Sequence, residues 1–269
     1  MKITSHHHAD DHQGLGSHRQ ALIAEIVRNH GQARVDELAA HFSVSPQTIR
    51  KDINEMCERG LLRRVHGGVE LASLNAEHYA LRRILNLTAK RRIGMAAADL
   101  IPDGATLAVS IGTTPELVVA SLGLRRNLKI FTNNLHVAMS AHRFEDVDVT
   151  IPGGQLRESE ADIVGPSATS FFDAYQFDLG LFGVAAVDEA GTLLDLSEED
   201  VQSRDAIARN ARARILVIDA TKFGRQAHVR SGHITQAEHV ICDARPPETI
   251  CQMLEQAGVN LVVCDEAEP

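Results

Sequence analysis

The strongest constraint on this chain's fold is a pattern that begins at residue 93. From there, short apolar runs recur between segments of helical spacing. The runs are TLAVSI (106–111), LKIFTN (128–133), VDVTI (147–151), DLGLFGV (178–184), RILVID (214–219), HVIC (239–242) and LVVC (261–264). Most are continuous and rich in Val, Ile and Leu. A strand with one wet face alternates apolar and polar residues, whereas a strand buried on both faces does not. Helices are expected between the runs, at 115–123, 135–143, 166–175, 200–212 and 247–257. This alternation predicts an α/β domain with a mostly parallel sheet.

In such a sheet the loops at the carboxyl ends of the strands converge on one crevice. The most informative loop lies in AVSIGTTPELVVASL, residues 108–122. There a buried strand runs into Gly112, Thr113 and Thr114. Thr114 is the expected helix N-cap and Pro115 the first helical residue. Gly112 lets backbone approach a ligand closely. Backbone N–H groups, two hydroxyls and the helix dipole then meet at one point, which suits a phosphate. An ordinary capped turn has the same composition, and Gly-Thr-Thr is far less specific than a P-loop.

Three more loops are expected on the same side. Asn133 and Asn134 follow the second run, and their amides suit the hydroxyls of a sugar or polyol. Gly153 and Gly154 follow the third, with Arg157 behind them. Lys222 follows the fifth and could pair with a phosphate as a point charge. Each has a plain structural reading as well: Asn and Gly are common in turns, and Lys is usually solvated. Catalysis would need a buried acid or base in the crevice. Asp178, Asp188 and Asp195 are the candidates, and their positions form no acid–base pair. Sensing is expected rather than catalysis.

The first part of the chain reads differently. Residues 17–30 predict a helix with Ser17 as N-cap and Leu22, Ile23, Ile26 and Val27 on one face. Residues 33–42 predict a second, Ser43-Val44-Ser45 a tight turn, and PQTIRKDINEMCERG a third. Ser45 followed by Pro46 is a start signal, and Gly60 a stop. A hairpin through Arg63, Arg64, Val65, His66 and Gly67-Gly68 follows. A three-residue turn between helices is the helix-turn-helix length. The outward side of the third helix carries Gln47, Thr48, Arg50 and Lys51, residue types that read base edges from a helix N-terminus. With Ser45, and with Arg63, Arg64 and His66 on the hairpin, they are the candidate DNA contacts. The bland alternative is a three-helix bundle.

Charge sets the two parts against each other. Residues 1–92 hold 14 Lys and Arg against 10 Asp and Glu, a net of +4, while residues 93–269 hold 13 against 26, a net of −13. A basic head on an acidic body suits a regulator whose head alone meets the phosphate backbone. The segment 79–98 carries five Lys or Arg and no acid, and reads as a solvated basic helix face. Aromatics make up 4%, with no Trp, which argues against a stacking platform for single strands. The four cysteines have no CxxC spacing, so reduced thiols are expected rather than a zinc site or disulfide frame. His6, His7 and His8 read as a polar tail without a rigid ligand set. No run is long enough to span a bilayer and the start has no apolar signal region, so a cytoplasmic chain without membrane partner, cofactor or metal is expected.

Taken together, DELAAHFSVSPQTIRKDINEMCERGLLRRVHGG resembles the N-terminal signature of DeoR-type bacterial repressors. LAVSIGTTPELV, FTNNLHVA, PGGQLR, DLGLFGVAAVD and DATKFGR resemble that family's sugar-phosphate sensor. The resemblance covers roughly residues 17 to 265. It implies a winged helix-turn-helix over 17–70, a linker over 71–88 and an α/β effector domain over 89–265 similar to ribose-5-phosphate isomerase, behind a tail of residues 1–16. It also implies a homo-oligomer, dimer or tetramer, on double-stranded operator DNA, and repression released by a small phosphorylated effector. HFSVSPQTIR, IGTTPE, TNNL and TKFGR resemble the branch that answers to glycerol-3-phosphate. The alternatives are a DeoR-type regulator of another phosphorylated sugar, possibly an activator, and an isomerase-type enzyme with a DNA-binding appendage. Two positions depart from the family pattern: Lys51 stands where Arg is usual, and Ser110 where many relatives have an acid.

Overall fold

The computed structural model describes the backbone of residues 10–72 and 79–264. The chain divides into two compact units, one through Leu87 and one from Thr88. His6–His8 and part of the expected linker lie outside the described residues.

The first unit holds α1 (Asp10–His30), α2 (Val35–His41), α3 (Pro46–Glu58), a hairpin of β1 (Leu62–Val65) and β2 (Gly68–Leu71), and α4 (Tyr79–Ile84). Helix α1 starts well before Ser17, which is therefore interior rather than a cap. The polar stretch DDHQGLG offered no apolar period from which to read that start. Ile49, Ile53 and Met56 on α3 are fully buried, at the spacing of one helix face. They share the core with Ile23 and Val27 of α1, Leu38 of α2, and Leu62 and Val69 of the hairpin.

The hairpin does not stand alone. Ala33, between α1 and α2, pairs with Val69 through two backbone hydrogen bonds of 3.0 and 2.9 Å. The two glycines at the tip serve different ends. Gly67 has φ +90°, the third position of a type II turn. Gly68 admits the Ala33 backbone: a Cβ there would stand 2.5 Å from Ala33 O.

The second unit opens with α5 (Leu87–Asp99), β3 (Thr106–Val109), α6 (Thr113–Ala120), β4 (Leu128–Thr132), α7 (Leu135–Ala141) and β5 (Val147–Thr150). Next come β6 (Leu156–Arg157), β7 (Asp162–Ile163), α8 (Pro166–Asp173), β8 (Phe177–Phe182), β9 (Ala186–Val187), β10 (Thr192–Asp195) and α9 (Glu198–Asn210). It ends with β11 (Ala211–Ile218), β12 (Val229–His233), β13 (His239–Cys242), α10 (Glu248–Gln256) and β14 (Asn260–Val263).

The seven apolar runs are the seven strands of one sheet, ordered β14-β13-β11-β8-β3-β4-β5, with every pairing parallel. Helices cover both faces. Leu107, Val109, Ile130 and Val217 pack with Ile93, Val118, Val119 and Val137 of α5, α6 and α7. On the other face Ala108 and Phe177 meet α8 and α9, and Leu216, Ile218 and Val240 meet α10. Helices α5 and α6 approach closely at Gly94, where a Cβ would meet Leu117 O at 2.9 Å. The basic segment is not uniformly solvated as expected. Arg83 and Arg91 are exposed, but Lys90 is only 4% exposed and Tyr79, Leu81 and Ile84 are core. An antiparallel sheet, β12-β10-β9, and the small β6–β7 pair were not foreseen.

Candidate functional site

In the first unit the candidate groups lie on α3 and the hairpin. Ser45 caps α3: its Oγ accepts the Thr48 N–H at 3.1 Å, and its hydroxyl bonds the Thr48 hydroxyl at 2.9 Å. Gln47, Arg50, Lys51 and Asn54 are exposed. They recur at three- and four-residue spacing, so they form one stripe opposite the buried face. Behind them Asp52 is buried and takes two N–H bonds from Arg19 of α1, at 2.5 and 3.2 Å. Gln20 adds a bond to Glu55 at 2.8 Å. The recognition-type stripe is therefore pinned to α1 from behind. On the hairpin, Arg63 pairs with Glu70, and Arg64 donates to Asn54 Oδ1 on α3. His66 sits exposed at the tip.

In the second unit the strand order reverses between β3 and β8, so the crevice lies beyond their carboxyl ends. The loop after β3 differs in detail from expectation. Helix α6 begins at Thr113, and its N-cap is Gly112, not Thr114. The reason is backbone geometry: Gly112 has φ +132° and ψ 150°, a region essentially confined to glycine. Pro115 is then the third helical residue, and the first helical bond is Glu116 N–H to Gly112 O at 3.1 Å. Gly112 has no side chain with which to cap the helix. Thr113, Thr114 and Ser110 are buried beside it. Gly183, just past β8, faces the same spot; a Cβ on it would lie 3.6 Å from the Pro115 ring.

The loop after β4 is fully buried. Asn133 Nδ2 donates to Ile163 O at 2.8 Å. Asn134 Oδ1 caps α7 by accepting the His136 and Val137 N–H groups at 2.8 and 3.2 Å. Half of each amide is thus used by the fold. The remaining atoms, Asn133 Oδ1 and Asn134 Nδ2, are buried without a hydrogen-bond partner among the described residues. Gly153 and Gly154 pack on the start of α8, where Ser167 donates to Gly153 O. Arg157 is tied to Asp162 at 3.0 and 2.8 Å and to Asp200 at 2.8 Å, holding the β6–β7 pair against α9. Burial pushes the Asp162 carboxyl up, and Arg157 pulls against it.

Lys222 is half-buried in a 3-10 turn after β11. Neighbouring strands lie about 4.8 Å apart, so β11 and β5 each end roughly 10 Å from β3 and about 19 Å from each other. The expected loops share one edge, yet they do not all surround one point. The central group is the loops after β3, β8 and β4.

The three candidate catalytic acids are structural. Asp178 accepts the Thr106 N–H at 2.9 Å and pairs with Arg212. Asp188 accepts Ala190 and Thr192 N–H groups in a turn. Asp195 accepts the Ala185 N–H at 3.0 Å and pairs with buried Arg204. Among the described residues no group of three His, Cys, Asp or Glu could hold a metal, and no helix is long and apolar enough to cross a membrane.

Family models agree with this layout. The DeoR-like helix-turn-helix domain matches residues 19–74, and the DeoR C terminal sensor domain matches residues 85–244. The chain belongs to the DeoR family. Curated relatives of this DeoR protein include a glycerol-3-phosphate regulon repressor of Escherichia coli K12, 39% identical over 90% of this chain and 96% of the relative. Another of the same name, from Haemophilus influenzae, is 37% identical over 92% of this chain and 96% of its own length. Among solved structures, a ribose 5-phosphate isomerase from Methanocaldococcus jannaschii overlaps 51% of this chain and 55% of that one at 19% identity and TM-score 0.39. The helix-turn-helix head makes this DeoR protein a DNA-binding transcription regulator, and its second unit is the family's sensor domain.

Proposed function

We propose that this chain represses genes for glycerol or glycerol-3-phosphate use and is released from its operator by glycerol-3-phosphate. The observation that carries the reading is the match to glycerol-3-phosphate regulon repressors along nine-tenths of the chain, both units included. Gln47, Arg50 and Lys51 read the major groove, while the Ser45 and Thr48 hydroxyls, bonded to each other, fix the helix end. The inducer phosphate lies at the amino end of α6, against Thr113 and Thr114, where the capping residue is a glycine. Asn133 Oδ1 and Asn134 Nδ2 offer an acceptor and a donor to the polyol hydroxyls. A three-carbon phosphate ester is too short to reach all the loops, so Gly153 and Gly154 serve the crevice wall. Lys222 approaches the phosphate from two strands away. The protein acts as a dimer or tetramer, and it catalyses nothing. The inducer must bind the DNA-incompetent arrangement more tightly, since equal affinity for both shifts no equilibrium.

The test is release from operator DNA against a panel of glycerol-3-phosphate and several sugar phosphates. Glycerol-3-phosphate is expected to release at the lowest concentration. Thr113→Val is expected to stay bound at inducer levels that free the parent. Release of that variant at the parent's concentration would reject the phosphate loop. A different phosphorylated sugar acting first would move the inducer and leave the regulator.

A further inference from the structure

We propose that Arg64, held by Asn54, is the wing residue that grips the DNA backbone, and that its neighbour Arg63 is not; this rests on the DNA-binding reading above. Adjacent residues of a strand point to opposite faces. Arg63 and Arg64 therefore cannot both meet the same phosphate strand in the same way. The contacts say which one shares a side with α3. Arg64 donates an N–H to Asn54 Oδ1, and Asn54 continues the stripe of Gln47, Arg50 and Lys51. Arg63 instead pairs with Glu70, the residue directly across the hairpin.

The chemistry separates them further. A guanidinium has five N–H donors. Asn54 takes one from Arg64 and leaves a planar fork for a phosphate, already oriented. A phosphate approaching Arg63 would meet the Glu70 carboxylate and be repelled. Asn54 itself is a positioning residue. Bidentate reading of adenine needs both its oxygen and its amide N–H. The oxygen already accepts from the Arg64 guanidinium, and Asn54 is assigned to orienting the arginine rather than to reading a base.

The experiment uses the full chain and two probes: a mixed-sequence duplex, and a duplex the protein itself selects from a random pool. Affinity is measured against salt. Arg64→Ala is expected to reduce the salt slope by about 0.9, one phosphate contact, and to weaken binding to every sequence alike. Arg63→Ala is expected to leave the slope unchanged. Asn54→Ala is expected to weaken binding without altering base preference, and to add nothing in an Arg64→Ala background. Equal slopes for the two arginine variants would overturn the proposal. So would an Asn54→Ala loss that persists without Arg64, or one that shifts base preference. All these side chains are solvent-facing, and matched thermal midpoints confirm that the variants fold. A parent chain that binds neither duplex overturns the DNA-binding reading itself, and this proposal with it.

Discussion

Two helices of this molecule have amino ends finished in opposite ways. Helix α3 is closed by its own Ser45 hydroxyl, with Pro46 at the first position and polar side chains standing out to solvent. Helix α6 follows a glycine N-cap, which has no side chain to offer, and its first residues are buried. At the closed end Ser45 takes up the Thr48 N–H and Pro46 has no N–H, so side chains carry most of what this end can offer a partner. An end whose capping residue has no side chain suits the anion of the proposed inducer. Side chains can distinguish bases; a helix terminus distinguishes mainly charge. The contrast fits a regulator that needs sequence discrimination at one end and a phosphate at the other.

Substitutions can break that contrast at either side. Gly112→Ala has the largest expected effect. It forces a β-carbon into a glycine-only backbone region and within 3.1 Å of the Pro115 ring. A loss of about 3 kcal/mol in the sensor's unfolding free energy is expected, with inducer response abolished and the head's own transition unmoved. Urea titration followed by probes in each unit measures it; a Gly112→Ala chain as stable as the parent would show that the α6 end can be rebuilt. Ser45→Ala is smaller, about 1 kcal/mol, and confined to the head. Operator affinity should fall while inducer affinity, measured by calorimetry, stays the same.

The smallest effect is acid sensitivity of the sensor. Hydrogen bonds from the Arg214 guanidinium hold the Glu238 carboxyl below its ordinary value of 4.5. A carboxylate depressed in the folded state adds stability that is fully present above its unfolded value and lost as pH falls through the folded one. Between pH 7 and pH 5, Glu238→Gln should therefore cost a constant amount. That cost should shrink as the pH falls below 4.5, which unfolding midpoints taken across this range would record.

How much of this the sequence disclosed depends on how each element is stabilised. All seven parallel strands were legible: the central ones are continuous apolar runs such as RILVI and HVIC, and the edge runs VDVTI and LVVC are still rich in Val. The antiparallel strands β9, β10 and β12 were not. They are two to five residues long, and β12 reads VRSGH, with no period to detect. The exposed stripe on α3 was legible as the complement of Ile49, Ile53 and Met56. The α6 cap was not. Thr114 followed by Pro115 carries a cap signal, and only the backbone angle at Gly112 overrides it. Asn133 and Asn134 were placed in the right loop, but the half of each amide that the fold consumes depends on Ile163 and on α7, which sequence spacing cannot locate. Arg63 and Arg64 were grouped together although strand alternation alone would have parted them.

The glycine pair at the wing tip bears on how far that tip can vary. The obstacle at position 67 is a torsion angle, which Asn tolerates better than most side chains. The obstacle at position 68 is an atom, the carbonyl oxygen of Ala33, standing where every β-carbon would go. A library randomised over both positions should return Asn beside Gly at the first and Gly alone at the second. Two identical letters in the chain thus have different freedom to drift: one is limited by its own conformation, the other by a neighbour on a different element.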